Sequence, residues 1–398
     1  MTERDRACEL FNRILDQSLY ASLVLQYESG FVRTSVMGVL RWLSRLDFVI
    51  ATFAGRRVEK IDRAALDILR LGAHELLFME SAPYAVVSEY VNLTGRRANR
   101  ARGFVNAVLR RIAAGPVPEP PDLATRTAHP PWLLERWSRL FGEERCAAIA
   151  AANQQLSYPD VLLLGDEMPP DGQPSALVDG IVKLRRSTAD LDRARFYPMD
   201  EGSAVIAAIA RATSDDILDL AAAPGSKTLS MWQRNARVVS NDVSITRLLP
   251  LLGRRAGRQQ AAGETPALRL VVSDARRPAF RKRFRTVLLD APCSATGTFR
   301  KNPEIKWRLR EDDLPRFAQL QREMLASAIE LAGEWCVYST CSLEPDENDA
   351  VVAGAGFEVM DVTPFVPPGA RSWVADGVLR LTPESGADGF TAFVLRRM

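Results

Sequence analysis

An all-helical N-terminal domain followed by an α/β domain with a mostly parallel, Rossmann-like sheet is the architecture this sequence predicts. Three observations carry it. Residues 1 to about 115 repeat apolar residues at helical spacing. Gly115-Pro116-Val117-Pro118-Glu119-Pro120-Pro121 then forms a linker stiffened by its prolines. From about residue 202, short strand-like runs alternate with helical ones, the pattern of parallel strands with helices on both faces. The expected organisation is a helical domain over 1–115, a linker and small mixed α/β subdomain over 116–200, and an α/β domain over 201–398.

Within the first domain, Leu66, Leu69, Ala73, Leu76 and Leu77 form one face of a helix over Ala64–Phe78, with Asp62 as its N-cap. Pro83 interrupts the pattern, and a further helix is expected from about Ala85. Phe104, Val105, Val108, Leu109 and Ile112 supply another apolar face over Gly103–Ile112. In the middle region Trp132–Phe141 and Glu143–Asn153 read as helices and Val161–Leu164 as a short strand. Beyond it the expected strands are Ile217–Leu220, Val238–Ser240, Leu270–Val272, Thr286–Leu289 and Cys336–Ser339. A long helix over Pro315–Gly333 precedes the fifth, and Phe390–Leu395 closes the chain as a strand.

Composition excludes several classes. The 398 residues are 47% hydrophobic and 25% charged, ordinary for a globular protein. No apolar run is long enough for a membrane span, and Met1-Thr2-Glu3-Arg4-Asp5-Arg6 does not read as a signal peptide. Five cysteines, odd in number and without a CxxC pair, argue against a disulfide framework and against a zinc site. A cytoplasmic, monomeric protein with reduced thiols and no metal is expected. The net charge of +3 is uneven: residues 1–115 carry 17 basic and 12 acidic residues, a balance of +5, which leaves −2 for the rest. A basic module on a near-neutral one fits polyanion binding joined to catalysis. Arg96, Arg97, Arg100 and Arg102 are candidate contacts. His74 and His129 read as structural.

The candidate site lies where strands end, which is where open α/β sheets bind ligands. Asp219-Leu220 runs into Ala221-Ala222-Ala223-Pro224-Gly225-Ser226-Lys227-Thr228, whose small residues admit a bulky ligand and whose following helix presents its N-terminus. It is not a P-loop: Ser226 and Ala221 stand where that motif needs glycine. Asp219, Asp242, Asp274 and Asp290 form an ordered set of strand-end acids; Asp242 can accept from ribose hydroxyls and Asp274 can meet an adenine edge. Cys293 in Asp290-Ala291-Pro292-Cys293-Ser294 and Cys341 in Thr340-Cys341-Ser342 each follow a buried strand. Two thiols beside a nucleotide-like pocket point to covalent catalysis. Cys336 and Cys146 read as inert buried thiols.

These segments resemble the signature motifs of S-adenosylmethionine-dependent RNA cytosine-5 methyltransferases, and Thr296–Trp307 extends the likeness. Leu69–Leu77 and Gly103–Arg111 are similar to a NusB-like RNA-binding domain, which points to the ribosomal RNA small-subunit methyltransferase B type. The resemblance implies a class I methyltransferase domain behind an all-α NusB-like domain, with S-adenosyl-L-methionine as methyl donor and 16S ribosomal RNA as substrate. It implies that Cys341 attacks carbon 6 of cytosine, that Cys293 assists proton removal and release, and that Asp290 engages the N3/N4 edge. Ala221 to Lys227, Asp242, Asp274 and Asp290 would hold the donor. Lys227, Arg300 and Lys301 are candidate positive neighbours of Cys341. Arg281, Lys282, Arg283, Arg300, Lys301, Lys306 and Arg308 would line the RNA path. The same reaction on transfer RNA or large-subunit RNA, or a non-catalytic RNA-binding assembly factor, are the rival readings. Departures from the family pattern are Ala221 for Cys, Ser226 and Ala295 for Gly, Met199 for Gln, and a short segment over Asn348–Phe357.

Overall fold

The computed structural model describes residues 2–185, 191–234, 236–251 and 268–397. Its contacts divide the chain into two compact units. One holds residues 1–155 together with 299–311, the other 156–298 and 312–398.

The first unit is helical: α1 (Glu3–Asp16), α2 (Ala21–Val24), α3 (Gly30–Ala54), α4 (Arg63–Phe78), α5 (Pro83–Arg97), α6 (Arg102–Ala114), α7 (Leu123–Thr127), α8 (Pro131–Phe141) and α9 (Glu143–Ala152). Asp62 caps α4 by accepting from the Ala65 N–H. The helix expected from about Ala85 starts at Pro83, since proline at the first position gives up only an N–H that has no helical partner. Leu69, Leu71 and Ala73 of α4 pack with Val39 and Leu40 of α3 and with Val105, Val108 and Leu109 of α6, all essentially inaccessible.

The segment 299–311 is part of this unit, not of the α/β unit that its sequence neighbours build. Lys306 Nζ donates to the carbonyls of Arg41 (2.9 Å) and Ala128 (2.8 Å). Trp307 Nε1 donates to Leu40 O (2.6 Å), Arg41 Nη2 donates to Arg300 O (2.7 Å), and Glu304 accepts from the Ala21 N–H (3.1 Å). Arg300 and Lys306 are buried here, so two of the cations expected along an RNA path serve as packing and hydrogen-bonding groups instead.

The second unit begins with a four-stranded antiparallel sheet in which β1 (Asp160–Leu163), β2 (Gln173–Pro174), β3 (Ile181–Lys183) and β4 (Phe196–Pro198) run in the order β2-β3-β1-β4. Only the first of these strands is legible in sequence. After α10 (Glu201–Thr213) comes the main sheet, of β5 (Asp216–Asp219), β6 (Arg237–Asp242), β7 (Arg269–Val272), β8 (Phe284–Asp290), β9 (Ala332–Thr340), β10 (Glu358–Met360), β11 (Val374–Ala375), β12 (Val378–Leu381) and β13 (Phe390–Arg396). Its order is β11-β12-β13-β9-β8-β5-β6-β7, with β10 also on β13. The strands β7, β6, β5, β8 and β9 are parallel and the rest antiparallel. From β5 the chain winds outward through β6 and β7, then returns to β8 on the other side. The β5/β8 boundary is therefore the topological switch point, where a ligand crevice opens at the carboxyl ends. The helix Leu314–Leu331 leads into β9, and a 3-10 turn over Pro345–Glu347 and a four-residue helix, Asp349–Val352, separate β9 from β10. Among the described residues no helix is long and apolar enough to cross a membrane.

Candidate active site

The ends of β5, β8 and β9 bring the two cysteines and their charged neighbours together. Asp290 is the last residue of β8 and lies in register with Ser339 of β9. Cys341 follows β9 by one residue and Cys293 follows β8 by three. Their sulfurs are 3.3 Å apart, and both residues are partly accessible. The two turns are joined by main chain as well: the Ala291 N–H donates to Ser339 O and the Gly297 N–H to Cys341 O. Gly297 must be glycine, since an added Cβ would lie 2.5 Å from Gly389 O, whose own N–H donates to Gly297 O. Ala295, the departure from glycine in this turn, has φ +59°, a left-handed conformation that costs an alanine about 1 kcal/mol.

Lys227, in the first turn of α11 (Ser226–Gln233), reaches Asp290 Oδ2 at 2.6 Å and Ser203 Oγ at 3.1 Å, with its ammonium 5.1 Å from the Phe390 ring centre. Asp290 Oδ1 accepts from Ser339 Oγ at 2.8 Å. Burial works against the Lys227 charge, but Asp290 outweighs it and the pKa is raised; Asp219 and the Cys341 sulfur add smaller contributions in the same sense. Lys227 is thus a permanent cation within electrostatic reach of Cys341. Cys293 differs: its hydrogen bond with Cys341, then burial, then the Cys341 and Glu347 charges push its thiol far above the ordinary range. The raised pKa favours the protonated form of Cys293, within hydrogen-bond distance of the Cys341 sulfur.

The candidate donor-binding residues surround the β5 end. Gly225 takes φ +104° as the N-cap of α11. Ala222 and Ala223 lie against the end of β6, with the Ala222 N–H on Asn241 O and the Ala223 N–H on Asp242 Oδ2. Ala221, Pro224 and Ser226 complete the same turn. Asp242 also accepts from the Ser244 N–H, and its carboxylate retains acceptor capacity. Asp219 is buried; Oδ2 accepts from Thr228 Oγ1 at 2.6 Å, while Oδ1 has no partner among the described residues. Burial first, and Asp290 and Asp242 in smaller measure, lift its carboxyl to about 7. An orphaned buried acceptor beside a turn of small residues fits a ligand that carries ammonium and hydroxyl groups. Asp274, beyond the outermost parallel strand β7, stands apart. It is partly exposed and clasped by Arg276, whose hydrogen bonds hold its carboxyl below the usual range. Among the described residues no cluster of His, Cys, Asp and Glu is arranged for a metal ion.

Of the expected positive neighbours of Cys341, Lys227 lies in its unit, whereas Arg300 and Lys301 belong to the helical one. Arg281, Lys282 and Arg283 are exposed. In the helical unit an open cleft of about 600 Å³ is lined by Arg56, Lys60, Arg97, Asn99, Arg100 and Phe104, with the Arg56 guanidinium 4.8 Å from the Phe104 ring centre. Arg96 and Arg97 both pair with Asp5. Sequence reading misses Ser203, Ser339 and above all Glu347. In the run Glu344-Pro345-Asp346-Glu347, both Glu344 and Glu347 are completely buried.

Comparison with known proteins bears on this arrangement. Residues 206–390 match the family described as 16S rRNA methyltransferase RsmB/F, and residues 2–114 match the NusB family. The chain is 32% identical over 400 residues to ribosomal RNA small subunit methyltransferase B of Thermus thermophilus, covering 97% of this chain and 93% of that protein. It is 30% identical to the protein of the same name from Shigella flexneri serotype 5b, over 87% of each. The fold matches the crystal structure of PH0851 with a TM-score of 0.77 at 21% identity, covering 100% of this chain and 99% of that one. A methyltransferase homologue protein from Pyrococcus horikoshii matches with a TM-score of 0.56 at 22% identity, over 70% and 98%. With matches to the NusB and 16S rRNA methyltransferase RsmB/F families and 32% identity spread over nearly its whole length, the chain belongs to the S-adenosylmethionine-dependent ribosomal RNA small subunit methyltransferase B family.

Proposed function

We propose that the chain methylates carbon 5 of a cytosine in 16S ribosomal RNA through a transient bond between Cys341 and carbon 6. The observation that carries this reading is the sulfur pair at 3.3 Å beside the Lys227–Asp290 ion pair, all at the β5/β8/β9 ends. S-adenosylmethionine, when bound, supplies an electrophilic methyl group on a sulfonium sulfur. The small-residue turn Ala221 to Lys227 and the Asp219 and Asp242 carboxyls would hold it, with Asp274 at the periphery.

Carbon 5 of cytosine is a weak nucleophile, and thiolate addition remedies that. The Cys341 sulfur forms a bond to carbon 6, and the displaced π pair is delivered to carbon 5, with the N3 edge stabilised by the Asp290 carboxyl. Carbon 5 takes the methyl group as the sulfonium–methyl bond breaks and its electron pair stays on sulfur. A base then removes the carbon 5 proton. That C–H pair rebuilds the C5–C6 double bond, and the C6–S bond breaks to return the Cys341 thiolate. Cys293 suits the base role. Its thiol is kept protonated first by the bond to Cys341; once that sulfur is tied to carbon the largest cause of its raised pKa is gone, its own proton passes to solvent, and the thiolate takes the carbon 5 proton. The target base must leave its stack to reach these groups. The basic cleft of the helical unit supports RNA docking there.

The experiment is a comparison of Cys293→Ala and Cys341→Ser with the native chain on 16S ribosomal RNA. Cys293→Ala accumulates a denaturation-resistant protein–RNA adduct because addition proceeds and release does not. Cys341→Ser forms none, and its turnover falls at least about 10³-fold. Full-speed methylation by Cys341→Ser, read by bisulfite sequencing, would sink the reading.

A further inference from the structure

Glu347 follows β9 by seven residues, and its carboxylate is bonded to both cysteine turns. Oε2 accepts from the Ser294 N–H (2.8 Å) and from Gln321 Nε2 (2.9 Å). Oε1 accepts from Ser342 Oγ (2.6 Å) and from Ser294 Oγ. Ser294 is the residue directly after Cys293, and Ser342 the residue directly after Cys341. Each hydroxyl has one hydrogen, and both give it to Oε1, so the two serines 3.1 Å apart are held by the carboxylate and not by each other. Gln321 Nε2 also donates to Pro292 O (3.0 Å), on the other side of Cys293. Tyr338 Oη fastens the Glu347 carbonyl (2.6 Å). Among the described residues no cation pairs with this carboxylate. Four converging donors replace the water it has lost, which is an arrangement a core gains little by keeping for stability alone.

We infer that Glu347 is the positioning residue of the sulfur pair: its carboxylate locks the turn after Cys293 to the turn after Cys341 and so sets the separation at which the two thiols work together. The inference deepens the proposed reaction and takes the roles of the sulfurs from it; the lock itself is a matter of geometry. The carboxylate also lies near enough to Cys293 to help keep that thiol protonated.

Two substitutions separate the lock from mere folding. In Glu347→Gln the amide oxygen can take the two N–H donors while its NH₂ group gives to both serine hydroxyls, so the tie survives. In Glu347→Ala all four donors lose their acceptor. The readout of geometry is phenylarsine oxide, whose arsenic bonds two adjacent thiols with loss of water, scored by intact mass. The native protein captures one arsenical per chain, and Cys293→Ala or Cys341→Ser prevents it. Glu347→Ala is expected to lower the capture rate at least about tenfold and kcat for methyl transfer on the order of 10²-fold, with KM for S-adenosylmethionine within about threefold. Glu347→Gln should restore both to within about tenfold of native. If Glu347→Ala does not fold, the double variant Ser294→Ala/Ser342→Ala tests the same tie with the carboxylate in place, and should show the same two losses in smaller degree. A folded Glu347→Ala, or the double variant, with native capture and native kcat overturns the inference. Loss of capture in a protein whose native form methylates no cytosine would remove the proposed reaction and leave the lock standing.

Discussion

Lys227 and Lys306 both read in sequence as functional cations, one beside Cys341 and one along an RNA path, and the fold takes both out of water in opposite ways. Lys227 meets the Asp290 carboxylate at 2.6 Å and is held charged. Lys306 meets no carboxylate among the described residues, only the carbonyls of Arg41 and Ala128 and the Trp307 ring; burial first, then the Arg41 charge, press its pKa far below the usual value. One lysine is an electrostatic element of a site, the other a donor that stitches the 299–311 segment into the helical unit. Charge written in a sequence therefore says nothing about charge expressed in the fold until the partners are known.

The largest effect expected from this contrast is catalytic. Lys227→Met should lower turnover by about 10³-fold, because the cation beside Cys341 and Asp290 is lost, while thermal unfolding of the helical unit is unchanged. Turnover within about tenfold of native, measured with saturating methyl donor, breaks the comparison.

The same contrast extends to pH. Burial, then Arg41, hold His74 of the helical unit at about 4. Between about pH 6.5 and 4 the unfolded chain binds a proton that the folded unit does not, so this contribution is whole above pH 6.5 and is lost as pH falls through 4. Asp219 of the α/β unit has the opposite sign. Its carboxyl is raised to about 7, so the folded unit binds a proton between about pH 4 and 7 that the unfolded chain does not, and the contribution disappears as pH rises through 7. The His74 contribution is worth up to about 3 kcal/mol and that of Asp219 up to about 4 kcal/mol. Hydrogen exchange corrected for intrinsic rates should show the helical unit losing protection from pH 7 to 5 while the α/β unit gains it. His74→Gln should flatten the first trend and Asp219→Asn the second; parallel trends in both units contradict the assignment.

The smallest effect sharpens the comparison. Lys306→Met removes the ammonium donor from the Arg41 and Ala128 carbonyls and should cost the helical unit about 2 kcal/mol in urea unfolding. Methyl transfer per folded molecule stays within about twofold, since Lys306 is inaccessible to RNA. A weaker RNA affinity with a shallower salt dependence would return Lys306 to the RNA path instead.

Much of the site is legible residue by residue, because its chemistry is written in short local motifs. Asp290, Cys293 and Cys341 stand at strand ends that their apolar runs foretell, and a parallel sheet gathers strand ends on one edge. Lys227 is legible as a candidate neighbour, and it lies in the first turn of the helix that follows β5. Asp274 is a weaker case: its position follows from the pattern, but its capture by Arg276 does not. Three of the four strands of the small sheet, β2 to β4, escape sequence reading because two- and three-residue strands carry no periodicity to detect.

What the sequence determined by itself was the class of fold and the residue types of the chemistry, since periodicity and strand-end motifs act over a few neighbouring positions. What only the tertiary structure decided was which charges are paired, which are silenced and which acids are buried. Lys306, Arg300 and Glu347 lie within a few residues of recognisable motifs, yet each takes its role from groups brought to it by folding. Desolvation and hydrogen bonding depend on surrounding atoms and not on sequence neighbours.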